Sequence, residues 1–213
     1  MNSIQAHRES APEYDQQAQD WGWNPEVIFG LMYEYVNSGE MLLDIGIGTG
    51  LCSVPFHRAG LKIYGVDGSS EMLEACKPKN IAAELKQHDL LKTPLPYPDE
   101  FCHHAICGGV FHFFGDLRSF FGETARILKK GGIFGFTVGP LKVEEDQVKE
   151  NEYIQKLDEA SGTSIYFHSD SYIQKLLKEN DFTQLKMLEF IASINPETKE
   201  EHYCRLYVGQ KYK

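Results

Sequence analysis

Apolar residues first settle into a regular spacing at Val27, Ile28, Leu31, Met32, Tyr35 and Val36. Steps of three and four predict one face of a helix. Asn24-Pro25-Glu26 precedes it with an N-cap side chain, a proline at the first helical position and an early acid, and Ser38-Gly39 ends it. The pattern then alternates. Short apolar runs predict strands at Met41–Ile45, Leu61–Val66, Cys102–Cys107 and Ile133–Val138, and a more polar stretch predicts a third strand at Ala82–Gln87. Between them lie helical segments at Thr49–Ala59, closed by Gly60, at Ser69–Cys76, and at Leu117–Lys129 before Gly131-Gly132, with a loop punctuated by Pro94, Pro96 and Pro98. Strands alternating with helices of this length imply α/β architecture, a doubly wound parallel sheet covered on both faces.

Beyond Pro140 the pattern changes. Val143–Ala160 reads as a charged helix with seven acids among 18 residues, and Ser169 as the cap of a helix through Lys178. Phe182–Ala192 and Tyr203–Gln210 read as strands separated by Asn195-Pro196 and a polar stretch, which suits an antiparallel hairpin. The first dozen residues read as a tail. Met1–Asp20 has no apolar signal core, and no apolar run is long enough to span a membrane.

Composition narrows the function classes. At 213 residues, with 42% hydrophobic and 24% charged side chains, the expectation is one globular domain that needs neither disulfides nor metal. Twenty-one basic against 31 acidic residues give a net charge of −10, which argues against gripping nucleic acid or docking on anionic membrane. Five cysteines, an odd number without C-x-x-C spacing, predict reduced thiols in a cytoplasmic protein and no metal site.

The candidate chemistry lies after the first strand, in Asp44-Ile-Gly46-Ile-Gly48-Thr-Gly50. A dinucleotide fingerprint would place glycine or alanine at position 51, where Leu51 stands, and no Gly-Lys-Ser/Thr follows to make a phosphate loop. Asp44 would crowd a pyrophosphate but suits a ligand with a cationic group. Asp67 ends the second strand, where an acid accepts from ribose hydroxyls, and Asp89 follows the third, where it could accept from an adenine amino group. Three acids at successive strand ends converge on the crevice where open α/β sheets bind ligands.

LLDIGIGTG, GVDGSSEML, HDLL and RILKKGGIFGFTV, in this order and separation, resemble the motifs of the class I S-adenosylmethionine-dependent methyltransferases of the compact small-molecule type. The resemblance runs from Tyr14 to Pro140 and loosely through the C-terminal hairpin. It implies a seven-stranded Rossmann-like sheet of order 3-2-1-4-5-7-6. It also implies S-adenosylmethionine as cofactor, S-adenosylhomocysteine as product, and methyl transfer by in-line displacement. Residues 1–39 would be an N-terminal lid and helix, 40–140 the cofactor-binding core, 141–168 an acidic cap insertion, and 169–213 a C-terminal helix and hairpin of the same domain. By resemblance, Gly46, Gly48 and Gly50 let backbone approach the cofactor, Asp44 meets its amino group, and Asp67 holds the ribose. Gly68 and Met72 flank the adenine, with Asp89 and Leu90 at its amino edge. Tyr14-Asp15-x-x-Ala18-x-x-Trp21 resembles the family's lid, with Trp21 in place of a second tyrosine.

The acceptor would approach Cys107-Gly-Gly-Val-Phe-His112-Phe-Phe. Cys107 falls at the cofactor end of its strand and is a candidate cofactor contact, though it reads first as a small buried hydrophobe. The aromatic cluster reads equally as pocket or as core. His112 is the candidate general base, ahead of His168, and each also reads as structural. His103 and His104 must point to opposite faces and are expected to be structural. A small-molecule acceptor is the leading reading. A protein methyltransferase and a non-catalytic binding module remain open, and the acceptor and oligomeric state are not specified.

Overall fold

β1 (Met41–Ile45) lies at the centre of the sheet, where leucine and isoleucine side chains on both of its faces find apolar neighbours. The computed structural model describes residues 11–141, 152–158 and 162–213. On one side of β1 lie β2 (Lys62–Asp67) and β3 (Ala82–Gln87), on the other β4 (Cys102–Cys107) and β5 (Leu128–Pro140), all parallel. β9 (Glu201–Lys211) inserts antiparallel beside β5, and β8 (Phe182–Ile194) pairs with β9. These seven strands run β3-β2-β1-β4-β5-β9-β8. Numbered by their own sequence order, they reproduce the expected 3-2-1-4-5-7-6.

Six described α-helices accompany the sheet: α1 (Tyr14–Asp20), α2 (Glu26–Met32), α3 (Val54–Arg58), α4 (Ser70–Cys76), α5 (Arg118–Ile127) and α6 (Asp170–Glu179). Successive side chains of a strand point to opposite faces. Thus Leu42, Ile63, Ile106 and Ile133 meet Ile28 and Met32 of α2, Phe56 of α3 and Leu73 of α4. Leu43, Val66, Phe134 and Phe136 meet Phe120 and Phe121 of α5 and Ile173 and Leu177 of α6. Burial on both faces is why these strands read as unbroken apolar runs. The cap at Ser169 forms as expected, its hydroxyl accepting from Tyr172 N–H, and Ser69, expected inside the helix, caps α4 in the same way by accepting from Met72 N–H. α2 differs: Pro25 takes the cap position and no side chain caps the helix. α3 starts at Val54 rather than at Thr49, after the glycine loop has finished its turns.

One expectation fails. Of the acidic segment Val143–Ala160, residues 143–151 and 159–160 lie outside the described residues. The remainder is not helical: β6 (Tyr153–Asp158) pairs antiparallel with β7 (Thr163–His168). Thr163-Ser-Ile-Tyr-Phe-His is rich in β-branched and aromatic residues, which favour a pleated strand. It gives the preceding segment a partner that acid content alone does not reveal. β7 joins the main sheet through two parallel pairs, Gly139 with Phe167 and Pro140 with His168. Among the described residues no helix is long and apolar enough to cross a membrane.

Candidate cofactor site

The chain leaves β1 at Asp44-Ile45 and must turn sharply to reach α3. Gly46, at φ +77°, makes that turn, and its N–H donates to Val66 O at 2.8 Å. A Cβ there would lie 2.4 Å from Val110 Cγ2, so only glycine lets the segment after β4 close against the loop. Gly48, at φ +54°, points its N–H at Asp67 Oδ2 from 2.8 Å. A Cβ at Gly48 would meet nothing within 4 Å, so the loop leaves this wall of the crevice open to a ligand. Ser69 N–H donates to the other oxygen of Asp67 at 2.8 Å. A carboxylate can accept about four hydrogen bonds, so two backbone donors orient Asp67 without exhausting it.

Asp44 is 1% exposed and accepts from Ser53 Oγ at 2.7 Å. Burial pushes its carboxyl up to about 7; the Ser53 hydrogen bond opposes the shift, and the charge of Asp67 adds to it. A buried acid titrating near neutrality beside a second acid is a site whose electrostatics a cation would relieve.

These groups form part of the wall of a crevice of about 1070 Å³, counted with its open mouth. Asp44, Gly46, Gly48 and Asp67 line it together with Gly68, Met72, Asp89 and Leu90. Asp89 also accepts from Leu91 N–H at 3.1 Å, so it braces its own turn. Tyr14 of α1 and Trp23 line it from the N-terminal segment, and Val110, Phe113 and Phe114 from the segment after β4. Burial, with Cys52, Asp15 and Asp67 adding to it, pushes the Tyr14 phenol up to about 12, so it keeps its proton at neutral pH.

Four expected residues are not brought to this wall. Trp21 is 39% exposed; its ring stacks on His202 at 5.8 Å between centroids, and its carbonyl accepts from Ile194 N–H at 2.8 Å. It pins the end of α1 to the C-terminal hairpin, and Trp23, two residues on, lines the crevice instead. Gly50 faces Cys76 and Ile81, away from the crevice. Cys107 is fully buried, its thiol pushed well up by burial, and the cysteine on the wall is Cys52. His112 sits on the 3-10 turn Phe111–Phe113 with its ring centroid 4.0 Å from that of Phe113, off the crevice wall. The aromatic cluster divides: Phe111 is core, while Phe113 and Phe114 line the crevice.

The other candidate histidines, His168, His103 and His104, have structural surroundings. His168 is 1% exposed and turns Nε2 toward the carbonyls of Phe114 and Gly115, at 3.0 and 3.1 Å. Burial holds it below the usual imidazole range, and its Nδ1 has no hydrogen-bond partner among the described residues. His103 Nδ1 accepts from Met41 N–H and His104 Nε2 lies 2.7 Å from Glu40, at the start of β1 and far from the crevice. Sequence reasoning also missed Trp23, Thr49, Ser69 and Cys52 as wall residues. All of them neighbour the recognised motifs, so distance along the chain was their only available signal.

Glycine-lined backbone and acids at the carboxyl ends of parallel strands define an α/β domain for a ligand bearing a nucleoside and a cation. Residues 43–136 match the family model described as a methyltransferase domain. Residues 43–136 are thus similar to methyltransferase domains, and the fold is that of solved S-adenosylmethionine-dependent methyltransferases. It is 29% identical over 133 residues to an uncharacterized methyltransferase of Anoxybacillus flavithermus, covering 62% of this chain and 61% of that protein. It is 30% identical over 97 residues to the demethylmenaquinone methyltransferase of Tropheryma whipplei, covering 46% of this chain and 41% of that one. The chain therefore spans less than two thirds of these curated relatives. The crystal structure of an S-adenosylmethionine-dependent methyltransferase from Methanosarcina mazei shares the fold, with a TM-score of 0.70 at 16% identity over 85% of this chain and 97% of that one.

Proposed function

We propose that this chain moves the methyl group of S-adenosylmethionine to a small, largely apolar acceptor. The observation that carries the reading is the Asp67 carboxylate, fixed by Gly48 and Ser69 N–H beside the buried Asp44. When bound, S-adenosylmethionine supplies a methyl group already activated by the positive charge on its sulfur. The protein's work is then to hold, orient and keep dry. Asp67 accepts from vicinal ribose hydroxyls, which a pre-oriented carboxylate does without reorganising. Asp44 and Asp67 supply the negative field that favours a cationic ligand, and Gly48 lets it approach the backbone. Met72 and Leu90 offer apolar flanks to a base, with Asp89 as acceptor for its amino group. Tyr14 and Trp23 screen the site from water.

Val110, Phe113 and Phe114 also line this crevice. They favour an acceptor with an apolar, ring-bearing body, in keeping with the demethylmenaquinone methyltransferase of Tropheryma whipplei. The net charge of −10 disfavours nucleic acid as acceptor, and five free cysteines suit a reducing, cytoplasmic setting. Titration calorimetry with S-adenosylhomocysteine tests the donor half. The wild type binds, and Asp67→Ala weakens binding by about 30-fold or more, the scale of a lost charged hydrogen-bond acceptor. No binding by the wild type, or equal binding by the variant, overturns the assignment. Incubation with labelled S-adenosylmethionine and a panel of phenols, quinols and amines then sorts the acceptors.

A further inference from the structure

α1 has seven residues, of which only Tyr14, Asp15 and Ala18 are half-buried and none is in the core, so apolar packing contributes little to holding it in place. A helix this short is unstable by itself in water. Its position over the crevice must come from discrete tethers. At its C-terminal end Trp21 supplies one, through Ile194 N–H and His202. At its N-terminal end the tether is a cluster of three residues from three separate elements. Thr49 Oγ1, in the glycine loop, donates to Asp15 Oδ1 at 2.6 Å. Lys79 Nζ lies 2.5 Å from Asp15 Oδ2 and donates to the carbonyl of Thr49 at 2.7 Å. Lys79 is set there by the 3-10 turn Lys77–Lys79 that follows α4. One ammonium thus clamps α1 and the glycine loop together.

We infer that Asp15, Thr49 and Lys79 form a latch that holds α1 shut over the donor site, with Asp15 and Lys79 as positioning residues for S-adenosylmethionine. This rests on the donor assignment above. Tyr14 precedes Asp15 and lines the crevice, and Thr49 stands between Gly48 and Gly50. Outward swing of α1 would break both the hydroxyl bond and the ion pair and withdraw Tyr14. The side chains of Lys79 and Asp15 are 23% and 44% exposed, so water and salt reach the pair. Such a contact is weak enough to open on each turnover, whereas a buried pair would not be.

Two measurements on the full chain separate the latch from the donor assignment. The first is hydrogen exchange of the Tyr14–Asp20 amides without ligand. Exchange speeds up in Asp15→Ala and in Lys79→Ala, and Lys79→Arg restores it. The second is the dissociation rate of S-adenosylhomocysteine, followed by tryptophan fluorescence, since Trp23 lines the crevice. The rate rises by about fivefold in either alanine variant, no further in the double variant, and returns toward wild type in Lys79→Arg. Unchanged exchange overturns the latch. Faster exchange with an unchanged dissociation rate leaves α1 tethered but overturns its role as a lid. Absence of binding by the wild type overturns the donor assignment, and the lid role with it.

Discussion

Asp44→Asn is expected to make the ligand-free protein more stable, by an amount that depends on pH. The carboxyl is nearly inaccessible and its folded value is pushed from 3.8 to about 7. Between those values the folded chain keeps a proton that the unfolded chain has released, so stability falls as pH rises. Each unit costs about 1.4 kcal/mol, and the full penalty above neutrality is about 4 kcal/mol. From about pH 5 to about pH 8 the wild type should therefore lose about 2.5 kcal/mol that the variant does not. Asparagine keeps an oxygen for the Ser53 hydroxyl, which donates at 2.7 Å, so the main change is the charge. Urea unfolding of both proteins across this range measures the gap, and other titrating groups largely cancel in the difference. A gap that stays constant with pH would refute the account of Asp44 as a buried, strained charge. The same variant should bind S-adenosylhomocysteine more weakly, because the field that destabilises the empty site is the one a cation answers.

Two other outcomes follow from the packing around the acceptor-side segment. Tyr172→Phe removes the hydroxyl that accepts from Leu117 N–H at 2.9 Å and donates to Asp116 at 3.2 Å. Leaving that buried amide unpaired should cost about 1–3 kcal/mol in urea unfolding, and a loss under about 0.5 kcal/mol would contradict it. Burial depresses His168 below its ordinary 6.5, so the unfolded chain takes up a proton that the folded chain refuses. Stability contributed by His168 is thus lost as pH falls below about 6.5, and His168→Gln should flatten that acid-side slope. Parallel slopes for the two proteins would exclude His168 as its source.

The main-chain plan was legible because it rests on local signals. The Ser169 cap, the apolar runs of β1, β2 and β5 and the glycine loop are each determined by a few adjacent residues. The strand order came from the resemblance, since nothing local in a strand says which neighbour it takes. The hairpin of β6 and β7 was hidden for that reason. Tyr153, Ile154 and Leu157 suit a helix face as well as a strand, and only pairing with Thr163–His168 decides between them. At the site, Asp44, Asp67 and Asp89 were readable because strand ends bring them together. Trp21 and Trp23 were not separable, because which of two nearby rings turns inward depends on where α1 ends and on His202, which is 181 residues from Trp21. His112 failed for a similar reason, since a 3-10 turn sends its neighbour Phe113 to the crevice.

The thin attachment of β7 has a consequence for how such a protein can diversify. The groups proposed to hold the donor lie between Tyr14 and Leu90, whereas Phe114 and Gly115 are braced from outside by His168, Tyr153 and Tyr166. That brace meets the main sheet through two residue pairs at the end of β5. Exchanging the hairpin for one of another length or side-chain content would reshape what can enter beside Phe114 and leave the acids under the glycine loop undisturbed. A lineage could in this way change its acceptor repeatedly while inheriting a single donor chemistry, and a laboratory graft at the same junction could do so in one step.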